Sequence, residues 1–131
     1  MEVPFRERCH LVYALAPDGM AAREANDALN QYIGDGRRGI PVFHDHFTGR
    51  PHGGFAVFDV RSEDELAMLD DPGPLDGWRI SHHPLVFALS TVGFAAQSEF
   101  TLGAYGKTSL AELRAVERPD PRFWWREDAE T

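Results

Sequence analysis

The chain has 131 residues, a formal net charge of −8 and a single cysteine. That length fits one domain with a proper hydrophobic core, and the acidic balance excludes a general nucleic-acid footprint. Cys9 alone cannot form an intramolecular disulfide, no apolar run reaches the roughly 18 residues of a membrane span, and MEVPFRERCH lacks the apolar centre of a signal peptide, so a cytoplasmic protein is expected.

Cys9 to Ala16 reads as a first strand, apolar on both faces. Pro17-Asp18-Gly19 turns the chain, with Asp18 as the expected helix cap. Between Met20 and Ile33 the positions Ala22, Ala25, Leu29, Tyr32 and Ile33 fall at helical spacing. Gly34 and Gly36 end that helix, and Arg37-Arg38-Gly39 is expected to be a flexible loop. Pro41 to Phe47 reads as a second strand. The turn-rich stretch Thr48 to Gly54 joins it to a third as a hairpin. In that third strand, Phe55 to Val60, Phe55 and Val57 point one way and Ala56, Phe58 and Val60 the other, so both faces are apolar.

Ser62-Glu63-Asp64-Glu65 is a capping box opening a second helix, and its acids suit the positive end of the helix dipole. Leu66 and Leu69 form a narrow apolar stripe. Asp70-Asp71-Pro72-Gly73-Pro74 stops the helix, since proline supplies no N–H and restricts the residue before it. Trp78 to Leu89 resumes a β pattern, with Pro84 expected at a bulge or on an edge. Phe94 to Leu102 is expected to be helical, although Thr91-Val92-Gly93 do not fix its start. Ser109 to Glu112 is a second capping box, before a short helix that Pro119 stops. In the tail PDPRFWWREDAET, Trp124 and Trp125 are expected to pin the tail to its own subunit or across a dimer.

The order β-α-β-β-α-β predicts an α+β, ferredoxin-like antiparallel sheet in one domain spanning 1–131. Its core lies at about 8–90, and a C-terminal helical extension and aromatic tail follow at 91–131. Both helices then lie on one face of the sheet. Burying a Val, Leu or Phe is worth roughly 1.5–3 kcal/mol, so strands apolar on both sides should not leave the second face to water. Either a second copy of the chain or the extension must cover it.

The run FAVFDVRSEDEL, followed by the proline-rich turn, Trp78 and HHPLV, resembles the second half of the dimeric α+β-barrel proteins. These include muconolactone isomerases, antibiotic-biosynthesis monooxygenases and YCII-related proteins. The resemblance covers about thirty residues and carries no catalytic motif. It implies a homodimer whose two sheets face each other, with ligands between the sheet and its helices or loops. The extension, which the minimal pattern lacks, would fill or lid such a pocket.

The densest polar cluster is His44-Asp45-His46 with Arg50 and His52. On a strand, His44 and His46 share a face and Asp45 takes the other. Three readings stay open: a solvated hairpin end, a metal-free acid/base site, or a metal site completed by His52 and by Asp45 or Asp59. His82-His83 places one imidazole on each side of the fourth strand, and one of the two is expected to be a satisfied interior or edge histidine. Tyr13 and Arg79 are candidates for the rim of a substrate site. Cys9 reads as a small apolar residue, because the adjacent His10 points to the opposite face.

The expected function is a small enzyme of secondary or aromatic-compound metabolism, an isomerase or cofactor-independent oxygenase-like catalyst with no cofactor or metal. His44 or His46 would move the proton, and Tyr13, Arg50, His52, Arg79 and His82 would contact a small hydrophobic substrate lying against the apolar sheet. The alternatives are a non-catalytic ligand-binding or dimeric assembly module, and a histidine-ligated metal protein. The expected partners are a second copy and a small hydrophobic molecule, with neither nucleic acid nor membrane.

Overall fold

The computed structural model describes residues 2–117. The expectations for Trp124, Trp125 and Pro119 lie outside these residues. Four strands form one antiparallel sheet: β1 (Cys9–Leu15), β2 (Ile40–His46), β3 (Gly53–Asp59) and β4 (Arg79–Pro84), in the spatial order β2-β3-β1-β4. Four α-helices lie among the described residues: α1 (Ala22–Gly34), α2 (Glu63–Met68), α3 (Thr91–Ala104) and α4 (Leu110–Val116). None is long and apolar enough to cross a membrane.

The α+β class and the antiparallel sheet agree with the hydrophobic pattern. Alternation sends Val12 and Ala14 of β1, and Ala56 and Phe58 of β3, into one core with Ala25, Leu29, Tyr32 and Ile33 of α1 and with Leu69. This is the helix side of the sheet. Gly54 permits the close seat of α1, because a Cβ there would meet the Leu29 side chain at 2.8 Å.

The two capping boxes behave as expected at their serines: Ser62 Oγ accepts from the Glu65 amide at 3.1 Å and Ser109 Oγ from the Glu112 amide at 3.1 Å. Glu65 reaches back one residue further than expected, accepting from the Arg61 amide at 2.9 Å. Asp18 does not cap α1, whose N-cap is Ala21 and has no side-chain cap. The fourth strand is shorter than its β pattern, ending at Pro84 on the sheet edge. Beyond it the Leu85 amide donates to the Cys9 carbonyl at 2.8 Å before the chain leaves for α3.

The largest departure is at Arg37-Arg38-Gly39. Far from being a flexible loop, Gly36–Arg38 is a 3-10 turn that buries Arg38 to 1 % exposure. Its guanidinium donates to the carbonyls of Met68 (3.1 Å), Tyr32 (3.1 Å) and Asp71 (2.6 Å) and to the Asp35 carboxylate (3.3 Å). It also lies 3.8 Å over the Tyr32 ring. Gly39 closes the turn with φ +94°, and a Cβ there would sit 2.6 Å from the Asp59 carbonyl oxygen. Arg38 therefore ties the end of α1 to the end of α2, satisfying carbonyls that a helix terminus leaves open.

Candidate functional site

The sheet order separates the candidate residues. β2 and β4 are opposite edges, so His44 and His46 stand on one edge and His82 on the other. Arg50 and His52 fall in the turn between β2 and β3. His44 pairs with Ala56 and His46 with Gly54, which places both imidazoles on the helix side. His46 Nε2 is 3.0 Å from Asn30 Oδ1 of α1, and the two rings meet edge to face at 5.6 Å. His44 remains exposed, and Asp45 folds back to accept from the His46 amide at 2.8 Å.

Tyr13 and Arg79 belong to the second face. Cross-strand registers assemble two rows there: Asp45, Phe55, Tyr13, Ser81, and Phe43, Val57, Leu11, His83. The aromatic rings make a connected patch, with Tyr13–Phe47 centroids at 5.3 Å, Phe47–Phe55 at 6.4 Å and Phe43–Phe55 at 5.8 Å. Tyr13 is still 42 % exposed and Phe43 47 %. The apolar surface and the His44/His46 pair thus lie on opposite faces of the sheet.

The extension covers one end of this second face. Phe94 of α3 stacks on Phe43 at 6.2 Å. The start of α3 is anchored on Asp59, which is fully buried. One Asp59 oxygen accepts from the Thr91 amide and hydroxyl, each at 2.9 Å, and both oxygens are held by the Arg8 fork at 3.1 Å. Burial alone would raise the Asp59 carboxyl. The Thr91 amide, the Arg8 guanidinium and the Thr91 hydroxyl outweigh it and hold the group below the usual carboxylate range. Ser90 Oγ caps the same helix through the Gly93 amide at 3.2 Å. Asp59 is therefore committed on the second face and cannot join His44 and His46 on the other. Among the described residues, no three His, Cys, Asp or Glu side chains gather as a metal site.

Between the chain after β4 and α3 runs a groove of about 590 Å³, walled by Leu85, Val86, Phe87, Phe94 and Leu102. Thr101 lines it too, but its hydroxyl donates to the Gln97 carbonyl at 2.9 Å, as that of Ser98 does to the Phe94 carbonyl at 3.1 Å. Those donors are spent within the helix, and the groove is left mainly apolar. A wider hollow of about 680 Å³ beside the start of α1 is walled by Arg23, Glu24 and Asp27 and holds none of the candidate residues.

His82 faces the helix side. Its Nε2 is 2.8 Å from the Asp70 carboxylate and its Nδ1 is 3.3 Å from Nδ1 of His10. Cys9 is buried, and burial first, then the Asp59 charge, push its thiol up to about 11, which keeps it protonated and unreactive.

Sequence reasoning passed over Phe94, Thr91 and the inward face of His10. Two signals pointed to them: the Ser90-Thr91 pair ahead of an apolar helix, and a histidine alternating with Val12 and Ala14 on a buried face, where a polar group needs a partner. No protein-family model, curated protein or solved structure matches the chain.

Proposed function

We propose that the chain is a ferredoxin-like subunit of a homodimer, of the dimeric α+β-barrel kind, that binds a small hydrophobic molecule. The observation that carries this reading is the aromatic second face: α3 shields one end of it and leaves Tyr13 and Phe43 about half exposed. A soluble chain rarely leaves a connected aromatic sheet face to water. Val86 and Phe87, each more than 70 % exposed, line the groove beside Phe94 and add apolar surface next to it.

A second copy suits the pattern of the rows. A twofold axis parallel to the strands sets the Asp45–Phe55–Tyr13–Ser81 row against itself with its edges exchanged. Phe55 then meets Tyr13 of the second copy, and Asp45 at one edge meets Ser81 at the other, an acceptor against a donor. The groove beside α3 opens on the same second face, through Phe94. The volume of that groove suits a small ligand, since binding pockets run to roughly 300–1,000 Å³.

A binding module accounts for this geometry better than the isomerase or oxygenase-like reading. That reading needs His44 or His46 next to a substrate on the apolar face, and the sheet lies between them. Two variants separate the readings when the full chain is titrated with a small aromatic fluorophore such as anilinonaphthalene sulfonate. Phe94→Arg, which puts a charge into the groove wall, should weaken saturable binding by about 10-fold or more, by analogy with a buried anchor residue. The double variant His44→Ala/His46→Ala should bind as the wild type does, at a stability cost of about 1 kcal/mol, since His44 is exposed while the half-buried His46 gives up its contact with Asn30 Oδ1. No saturable binding by the wild type, or its loss in the histidine variant, would overturn the proposal.

A further inference from the structure

We propose that His10 and His82 hold a single shared proton that clasps the β4 edge of the sheet to the end of α2, making this edge a pH-sensitive fastening. The inference comes from counting hydrogens along one chain of contacts. Asp70 Oδ1 is 2.8 Å from His82 Nε2, His82 Nδ1 is 3.3 Å from His10 Nδ1, and His10 Nε2 is 2.8 Å from the Glu7 carbonyl. A carbonyl and a carboxylate can only accept, so each outer nitrogen must carry a hydrogen. The inner contact joins two nitrogens and needs one hydrogen between them. Three hydrogens are required on four nitrogens, whereas two neutral imidazoles own two. The pair is complete only with one extra proton.

Geometry also assigns the proton. His10 is 5 % exposed and lies on the helix side between Phe58 of β3 and Pro84 of β4, where a charge is costly. His82 faces a carboxylate and water. The arrangement is thus a His82 imidazolium donating from both nitrogens, with a neutral His10 donating from Nε2 alone. Burial, opposed by the Glu7 carbonyl, pushes His10 below its ordinary value of 6.5, which agrees with its neutral role.

The charged groups around the pair come from each neighbouring element: Glu7 before β1, Asp70 after α2, and the two imidazoles themselves. From β3 the facing neighbour is Phe58, which carries no charge. Asp71 is spent on the Gly73 amide at 3.0 Å, and Arg8 is turned to Asp59 on the other face.

No nitrogen of His82 is left over for a substrate, so its role is to fasten and not to catalyse. As pH rises, the shared proton leaves and one of the two His82 contacts loses its hydrogen. As pH falls further, a second proton would set two N–H groups against each other across 3.3 Å. His10 works in the same direction on the acid side. Its neutral form is favoured by the fold, so its contribution is present above 6.5 and is lost as the pH drops below. The clasp therefore holds only in the singly protonated state of the pair.

Long-range proton–nitrogen spectra of the full chain with nitrogen-15 histidine read each imidazole's protonation directly. Over a pH series, the first extra proton taken up by the pair should make His82 doubly protonated while His10 stays neutral with its hydrogen on Nε2. Both patterns should change together as the pH rises. Asp70 is well exposed (76 %), so Asp70→Asn should keep the fold while releasing the shared proton at lower pH. A first proton that settles on His10, or protonation of the pair unmoved by Asp70→Asn, would overturn the clasp.

Discussion

Replacing Arg38 with alanine should be the most damaging single substitution in the chain, with an expected loss of about 4 kcal/mol in stability. The reasoning starts from what the guanidinium satisfies. The carbonyls of Tyr32, Met68 and Asp71 and the Asp35 carboxylate all accept from it, at 2.6–3.3 Å. A buried acceptor that loses its donor costs roughly 1–3 kcal/mol, and the cavity left over the Tyr32 ring adds to that. Arg38→Lys should recover only a minor part, since an ammonium cannot reach three diverging carbonyls from one plane. Urea unfolding followed by far-UV circular dichroism measures both variants. A cost below about 1 kcal/mol for Arg38→Ala, the range of an ordinary surface change, would show that the turn is not the fastening described.

The second large effect is expected at Asp59. Asp59→Asn keeps the shape, removes the charge, and turns one of two acceptor oxygens into a donor facing Arg8 or Thr91. A stability loss of about 3 kcal/mol is expected, in the range for breaking one side of a buried ion pair. The loss should appear first as detachment of α3, because Thr91 is held by this carboxylate through both its amide and its hydroxyl. Hydrogen exchange should therefore speed up across Thr91–Ala104 before the sheet is affected.

The pH dependence follows from the same contacts. The folded Asp59 carboxyl is held below its ordinary 3.8, so its stabilisation is fully present above that value and is lost as the pH falls through the lower folded one. Wild-type stability should drop on acidification below about pH 4, and Asp59→Asn should flatten that drop. An unchanged acid limb would separate Asp59 from the anchoring of α3.

Much of the fold was legible because it rests on local, periodic signals. Val12, Ala14, Ala56 and Phe58 alternate as a sheet face must, and Ser62 and Ser109 sit where helix-opening hydroxyls are needed. The doubly apolar strands implied that the second face needs cover, and Phe94 supplies part of it over Phe43. What escaped the sequence depends on residues far apart in the chain. Arg38 reads as a loop arginine until Met68 and Asp71 come within reach. Asp59 reads as an available ligand until Arg8 and Thr91 claim it. The histidines at 44 and 46 share a face with each other as their spacing demands, but spacing could not say that this face is the one α1 covers. The pairing of His10 with His82 links positions on neighbouring strands whose register no local pattern fixes. Arg37-Arg38-Gly39 departs from its local preference for the same reason, since the tertiary contacts of Arg38 override it.

The proposed dimer requires the aromatic second face to be an interface between copies of the chain. Sedimentation equilibrium on the full chain tests this most directly, comparing the wild type with Tyr13→Asp. Tyr13 is 42 % exposed, so the substitution spares the core, and a charge at the centre of a twofold patch counts once for each copy. The predicted result is a wild-type dimer at micromolar concentration and a Tyr13→Asp monomer with an unchanged far-UV spectrum, its dissociation constant raised by about 100-fold or more. A wild-type chain that sediments as a monomer at every concentration, with Tyr13→Asp indistinguishable from it, would contradict the account.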